Sequence, residues 1–241
     1  MSAPSLDVIR WGRERARTGP WRGERDVAHL VPVPDTPPLS PEFVRRCLDV
    51  LAERGYCRVV TAALAVGETN GFLAAGFEVT EELHLLAHDL DDLPPVPVVN
   101  GRIRRAWAFD RNTVLEIDNL AFTPFWRLDG HGLDDAIAAT PRSRFRVGVT
   151  ATDKHPCSYA ICGCAGRRGF VQRLAVHPDI QGRGFGRALL LDGLVWMQGR
   201  AVRRAVVNTQ QDNQSALALY EAVGFRRQRH GLAVLSIGLA A

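Results

Sequence analysis

Apolar positions recur at helical spacing over Pro41–Arg54, where Phe43, Val44, Cys47, Leu48 and Leu51 share one face behind a Ser40 cap. Proline at the first helical position suits such a start, because its missing N–H costs nothing there. An apolar run at Cys57–Ala63 reads as a strand, residues near Thr69–Ala75 as a short helix, and Phe77–His88 as another strand. The same order returns at the C-terminal end: helix Gly184–Gln198, strand Arg203–Thr209, helix Asn213–Val223, and strands from Phe225 to Leu239. The two stretches also share wording. Val59-Val60 and Ala75-Gly76-Phe77 stand against Val206-Val207 and Val223-Gly224-Phe225, with 17 and 18 residues from the second valine to the phenylalanine. Chance likeness of two β-α-β units competes here with half of a duplicated domain.

Between these stretches the pattern predicts a strand (Arg102–Ala108), a helix (Arg111–Phe122) and a shorter helix (Leu133–Ala139). Three strands follow, Arg144–Ala151, Cys157–Cys164 and Gly169–Val176, and the alternation of Phe145, Val147 and Val149 gives the first one buried face. Two breaks interrupt the chain. Leu30–Pro41 is dense in proline and reads as an extended connector. Asp89–Gly101 combines acids, prolines and an Asn-Gly pair. The expected organisation is therefore an arm and connector over residues 1–38, a β-α-β half-domain over 39–92, a linker over 93–101, and an α/β (α+β) domain over 102–241.

Composition is that of a globular chain, 46% hydrophobic and 23% charged. No apolar run reaches the roughly 18–20 residues of a membrane-spanning helix, and no basic segment followed by an apolar stretch marks a secretory leader. Five cysteines, an odd number, fit reduced thiols and a cytoplasmic location better than a disulfide frame. Charge is uneven. Residues 31–100 hold four arginines against eleven acids, whereas residues 101–241 hold twenty basic residues against eleven acids. A basic C-terminal portion suits a polyanionic ligand such as a phosphorylated cofactor. A nucleic-acid adaptor is the weaker alternative, since only Lys154 among the basic residues is lysine, a bias expected of GC-rich coding.

The chemistry concentrates in Leu174-Ala175-Val176-His177-Pro178-Asp179-Ile180-Gln181-Gly182-Arg183-Gly184-Phe185-Gly186-Arg187. A strand runs into a turn, then into a glycine-rich loop, then into a helix. Glycines let the backbone approach a ligand closely, and N–H groups at the positive end of a helix bind phosphate oxygens. There is no Gly-Lys-Ser/Thr, and the loop does not head a βαβ repeat, so neither the P-loop nor the dinucleotide fingerprint fits.

Gln181-x-x-Gly184-x-Gly186 resembles the phosphate-loop signature of GNAT acetyltransferases. Asn213, Ala216 and Tyr220, followed by Gly224-Phe225, resemble that family's second motif. The resemblance covers residues 102–241. It implies a mixed, mostly antiparallel, splayed sheet flanked by helices, with residues 39–92 as a smaller, degenerate GNAT-like half. It also implies acetyl-CoA as co-substrate, without a metal, and direct attack by an unidentified primary amine, of a small molecule or a protein, in a ternary complex. Leu174, Ala175 and Val176 would offer backbone groups to the pantetheine arm, with the Val176 N–H polarising the thioester. Gln181, Gly182, Arg183, Gly184, Phe185, Gly186 and Arg187 would hold the pyrophosphate. Asn213 and Ala216 would contact the pantetheine, and Tyr220 would act as general acid. A homodimer stays open.

One departure concerns the base. Many relatives carry glutamate on the strand entering the loop, but here it reads Phe170-Val171-Gln172-Arg173-Leu174. Glu116 is the first substitute, with Asp118, Asp129 and His131 as others; Glu116 and Asp118 otherwise read as a solvated helix face. Phe125 and Trp126 either line an acceptor pocket or pack in the core. His177 reads as structural, and Tyr220 as core if it is not catalytic. Cys162-Gly163-Cys164, near Cys157 and His155, lacks zinc spacing and reads as buried thiols. The half-domain has no glycine loop and is not expected to bind coenzyme A. The missing carboxylate keeps a non-catalytic acyl-CoA sensor as the alternative function.

Overall fold

The computed structural model describes residues 7–22, 24–33 and 36–239. Residues 1–6 of the arm and Pro34 and Asp35 of the connector lie outside the described residues. The chain divides into two compact units: Met1–Leu85 with Asn208–Asp212 and Gln228–Ala241, and Leu86–Val207 with Asn213–Arg227.

The first unit opens with three antiparallel strands, β1 (Asp7–Trp11), β2 (Glu14–Pro20) and β3 (Val27–Pro32). The connector thus begins later than Leu30. Pro32 sits at the end of β3, where a lost N–H is tolerated. Helix α1 (Pro41–Glu53) follows, and its predicted apolar face is buried at Phe43, Val44, Cys47, Leu48 and Leu51. β4 (Arg58–Thr61) pairs parallel to β3 from Val27↔Arg58 to Leu30↔Thr61. A two-residue strand β5 (Leu64–Ala65), helix α2 (Val66–Ala74) and β6 (Glu78–His88) complete the run. The chain's last strand, Leu232–Gly238, pairs antiparallel with both β4 and β6. Phe43, Phe72, Phe77, Val59 and Leu235 share this unit's core.

The second unit holds β7 (Gly101–Arg105), α3 (Arg111–Ala121), α4 (Gly130–Ala138), β8 (Arg142–Thr150), β9 (Pro156–Ala165) and β10 (Arg168–Val176). Then come α5 (Phe185–Gln198), β11 (Arg204–Gln210), α6 (Gln214–Val223) and β12 (Arg226–Arg227); Leu232–Gly238 is β13. Strands β7 to β10 pair antiparallel in sequence order, and β11 joins β10 in parallel. β9 is buried from Pro156 to Cys164 because helices cover both its faces. Tyr159 and Ile161 pack with Val114, Ile117 and Leu133. Cys162 and Cys164 pack with Leu190, Leu194 and Met197. The fold is a mixed, mostly antiparallel sheet flanked by helices.

Several predicted elements shift, among them α2, expected near Thr69–Ala75 and found to begin at Val66. The helix expected at Leu133–Ala139 begins at Gly130, because the Asp129 carboxylate accepts from the Gly132 N–H at 2.7 Å and starts a turn that two glycines had disguised. The opening strand stops at Arg105 because Asp110 pulls the chain round. Its carboxylate takes both Arg104 nitrogens, at 2.7 and 2.8 Å, and the Trp107 N–H at 2.7 Å. The strand material after Phe225 is two strands, β12 and β13, and β13 folds with the first unit.

The two units repeat one order. In each, three antiparallel strands lead to a helix, a strand parallel to the third, a second helix and a further strand. α1 and α5 are equivalents, yet their first turns differ. At α1 the Glu14 carboxylate accepts from the Ser40 N–H and, at 2.9 Å, from the Ser40 hydroxyl, which caps the Phe43 N–H at 3.2 Å. The chain has placed its own anion at this helix start.

Two predictions follow from these carboxylates. Replacing Glu14 with glutamine removes the anion but keeps the shape, and urea unfolding of the full chain should show a loss of about 1 kcal/mol. Burial raises the Asp110 pKa, but Arg104 and the Trp107 N–H outweigh it, so the net direction is down. Its contribution is present above the unfolded value of about 3.9 and disappears as pH falls through the lower folded value. Asp110→Asn should therefore flatten the acid limb of a stability–pH curve below about pH 4, and an unchanged limb would remove Asp110 from that account.

Candidate cofactor and acceptor site

β10 and β11 pair only from Arg168↔Arg204 to Phe170↔Val206. Beyond Phe170 the partner of β10 on that side is gone, while its pairing with β9 continues to Val176↔Ser158. The His177 N–H is bonded to the Cys157 carbonyl at 2.8 Å. Backbone groups alternate sides along a strand, so those of Val176 and Leu174 face the side that β11 has left. The Gln181 side chain reaches back to the Val176 carbonyl at 3.3 Å, so this signature residue closes the loop onto the strand end.

After the turn at Pro178–Ile180 the loop needs two left-handed residues, Gly182 at φ 76° and Gly184 at φ 84°. Gly184 caps α5 without a side chain, leaving the first N–H groups of a 14-residue helix directed outward. Arg183 and Arg187 are exposed beside them, and no heavy atom lies within 4 Å of where a Cβ on Gly182 would stand. A methyl group on Gly186 would stand 3.4 Å from Val176 and 3.5 Å from Leu219, so the β10 end, the α5 start and α6 meet there. These features fit a pyrophosphate. The Phe185 side chain is buried and packs toward Gly148, and Ala175 is buried beside Tyr159, so only their backbone groups are open to a ligand.

On α6, Asn213 is the N-cap and accepts from the Ala216 N–H at 3.1 Å. Tyr220 lies two turns along, buried with its ring 5.7 Å from that of Phe225. Burial raises the Tyr220 pKa, the nearby Cys162 adds to the rise and Arg173 opposes it, so the hydroxyl keeps its proton at neutral pH. Glu116 is not drawn into this group; it is exposed on α3, whose buried face carries Val114, Ile117 and Asp118. His131 is exposed, and Asp129 is spent on the α4 cap. His177 holds its own turn, accepting from the Asp179 N–H at 3.3 Å. Phe125 and Trp126 form a half-buried edge-on pair. Cys157, Cys162 and Cys164 are buried free thiols, and burial with Asp192 pushes Cys162 up to about 12.

The residue misread as a solvated face is Asp118, which is wholly buried. It accepts from Arg173 at 2.7 and 2.9 Å, from the Leu128 N–H at 2.7 Å, and from the Tyr159 hydroxyl. Arg173 also donates to the Trp126 carbonyl and stacks 3.5 Å from the Phe122 ring centre. The sequence signal was Arg173 itself, a cation on a strand with no nearby acid. This knot ties the segment Phe122–Leu128 to the residue before Leu174.

The Acetyltransferase (GNAT) family model matches residues 111–225, which contain the loop, the open strand edge and α6. Those residues belong to the GNAT family. A mycothiol acetyltransferase of Thermomonospora curvata is 28% identical, over 94% of this chain and 84% of the relative. One of Rhodococcus jostii is 37% identical over 41% of this chain, a match that spans 31% of the relative. Two solved structures share the fold. A GCN5-related N-acetyltransferase from Sphaerobacter thermophilus has TM-score 0.66 at 16% identity, covering 95% of this chain and 78% of that one. A tandem GNAT protein from the clavulanic acid biosynthesis pathway has TM-score 0.68 at 14% identity, covering 97% and 82%. The repeated order of strands and helices accords with a tandem GNAT fold.

Removing one partner of the buried knot strands a charge. Asp118→Asn should cost about 3–5 kcal/mol in urea unfolding. The double variant Asp118→Leu with Arg173→Met should recover much of that loss, and a double variant no better than the single one would show that the pair is not the source.

Proposed function

We propose that this chain is an acetyl-CoA-dependent N-acetyltransferase acting on a primary amine by direct attack in a ternary complex. The observation that carries the reading is the open edge of β10 after Phe170, leading straight into the uncapped, glycine-turned start of α5. The name borne by the relatives, mycothiol acetyltransferase, supports acetyl transfer as the reaction class.

Acetyl-CoA supplies an activated acetyl thioester. The chain's own work is positioning and proton placement. The N–H groups of Phe185, Gly186 and Arg187, with the guanidinium groups of Arg183 and Arg187, hold pyrophosphate oxygens. The backbone of Leu174, Ala175 and Val176 aligns the pantetheine arm in place of the missing strand, and the Val176 N–H faces the thioester oxygen. Asn213 has its Oδ1 committed to the α6 cap, so it serves the arm through its amide nitrogen, beside Ala216. Tyr220, held protonated by burial, donates to the departing thiolate. Glu116, the base expected from the sequence, lies exposed on α3 outside this group, so the amine's proton is assigned to water rather than to a side chain.

A non-catalytic acyl-CoA sensor is the second reading. Asp118, the carboxylate that reaches β10, is saturated by four donors and offers no basic lone pair to an amine.

Calorimetric titration with acetyl-CoA should give micromolar binding that Gly184→Glu abolishes, because a carboxylate in a left-handed position blocks the phosphate seat. Tyr220→Phe should keep that affinity and lower thiol release with an amine panel by roughly 10²–10⁴-fold. Wild-type rate should show no alkaline loss below about pH 10, the ordinary tyrosine value. Absence of acetyl-CoA binding by the wild-type chain would overturn the proposal.

A further inference from the structure

The first unit contains a cavity of about 180 Å³, every lining residue of which belongs to that unit. Its walls are mixed: Leu64, Leu73, Val79, Leu83 and Leu232 supply the apolar part, and Thr69, Glu82 and Gln211 the polar part. Three residues at its rim are large apolar side chains left in water: Val66 is 58% exposed, Leu73 44% and Val79 48%. Single exposed apolar residues need no explanation, but a cluster around a concavity marks a binding surface.

A wider concavity of about 440 Å³ adjoins it, sharing Val79, Glu82 and Gln211, and adds Glu81 and Asp212. Neither concavity has a lysine, arginine or histidine in its lining. Among the described residues no ion pair reaches Glu81, Glu82 or Asp212. The Glu82 carboxylate is held by the Gln211 amide at 3.1 Å, a neutral donor that fixes its direction and leaves its charge.

The backbone is arranged to put acid and apolar wall together. β6 and β13 pair in steps from Leu83↔Leu232 to Glu81↔Val234, and then Val79 pairs with Leu235, so Thr80 is an extra residue on β6. In a regular strand Val79 and Glu82 point to opposite faces. One inserted residue reverses that parity, and Val79, Glu82 and Leu83 all border the cavity. The charge balance fits this placement, since residues 31–100 hold eleven acids against four arginines.

We propose that this cavity binds a primary ammonium ion carrying a short apolar body, with the alkyl or aryl part between α2 and β13 and the ammonium at Glu82. Among the described residues no three acids, histidines or cysteines converge as metal ligands. A carboxylate ligand would meet three uncompensated acids. A neutral ligand of the same body would leave the polarity of the mouth unused. The site does not depend on the acetyl-transfer reading, because no residue of the proposed cofactor loop lines it.

The test is a titration of the full chain, without acetyl-CoA, with n-hexylamine, hexan-1-ol and hexanoate at equal concentration, followed by backbone amide NMR shifts. Hexylamine is expected to shift amides of α2, the β6 bulge and β13, with at least tenfold weaker binding of hexanol and none of hexanoate. Glu82→Gln, a near-isosteric change at an exposed position, should weaken hexylamine at least tenfold and leave hexanol unaltered. Leu73→Arg, also at an exposed position, should abolish binding of both. Equal affinity for hexanol and hexylamine would overturn the proposal, as would hexylamine shifts elsewhere, no shifts at all, or an unaltered affinity in Glu82→Gln.

Discussion

A carboxylate enclosed by protein on every side has to be matched donor for donor, and Asp118 meets that demand with two nitrogens of Arg173, one backbone N–H and one phenol. Each donor comes from a different element: β10, the segment before α4, and β9. The match therefore fixes three things at once. The residue before Leu174 cannot rotate, the segment Phe122–Leu128 is drawn down onto the sheet, and α3 is held at one height along β9. A buried pair of this kind adds little net stability over an apolar isostere. What it adds here is register, because no other alignment of α3 on the sheet would satisfy the charge.

The second constraint is the start of a helix. α1 and α5 occupy the same place in a repeated chain order, and each presents unsatisfied N–H groups and a partial positive charge. At α1 a glutamate of the same unit answers that charge for good. At α5 two left-handed glycines bare the backbone, and the arginines beside it, Arg183 and Arg187, are exposed. One local problem has received two solutions, an internal anion at α1 and a start left open at α5. That difference is the physical content of calling the first unit degenerate.

Much of this was legible in the amino-acid order. The apolar face of α1, the repeat of helix and strand around Val59-Val60 and Val206-Val207, and the loop from Gln181 to Arg187 all rest on local pattern, and local pattern survives folding. What escaped was non-local. Asp118 looks solvated because a single polar residue beside Glu116 on an amphipathic helix gives no sign of Arg173, 55 positions away. The α4 start hid behind glycines, and the turn from Trp107 to Asp110 began inside what read as strand, at Trp107 and Ala108. The bulge at Thr80 was not legible either, because Glu81-Glu82 interrupts the alternation there without showing how β13 pairs. For the candidate site, the motif residues cluster on the strand end, loop and α6, whereas the base could not be read because the strand carries none and the acids nearby are either spent or exposed.

The fate of β13 has a consequence for how such a chain is made. Its residues, Leu232–Gly238, fill the place between β4 and β6 in the first unit, with Leu235 in that unit's core. During synthesis the amino-terminal part emerges first and would ordinarily fold first. Here it waits with two strand edges unpaired until the ribosome has delivered almost every residue described. A product that stops before Leu232 would carry that unit with the β4 and β6 edges unpaired, the kind of edge that templates aggregation.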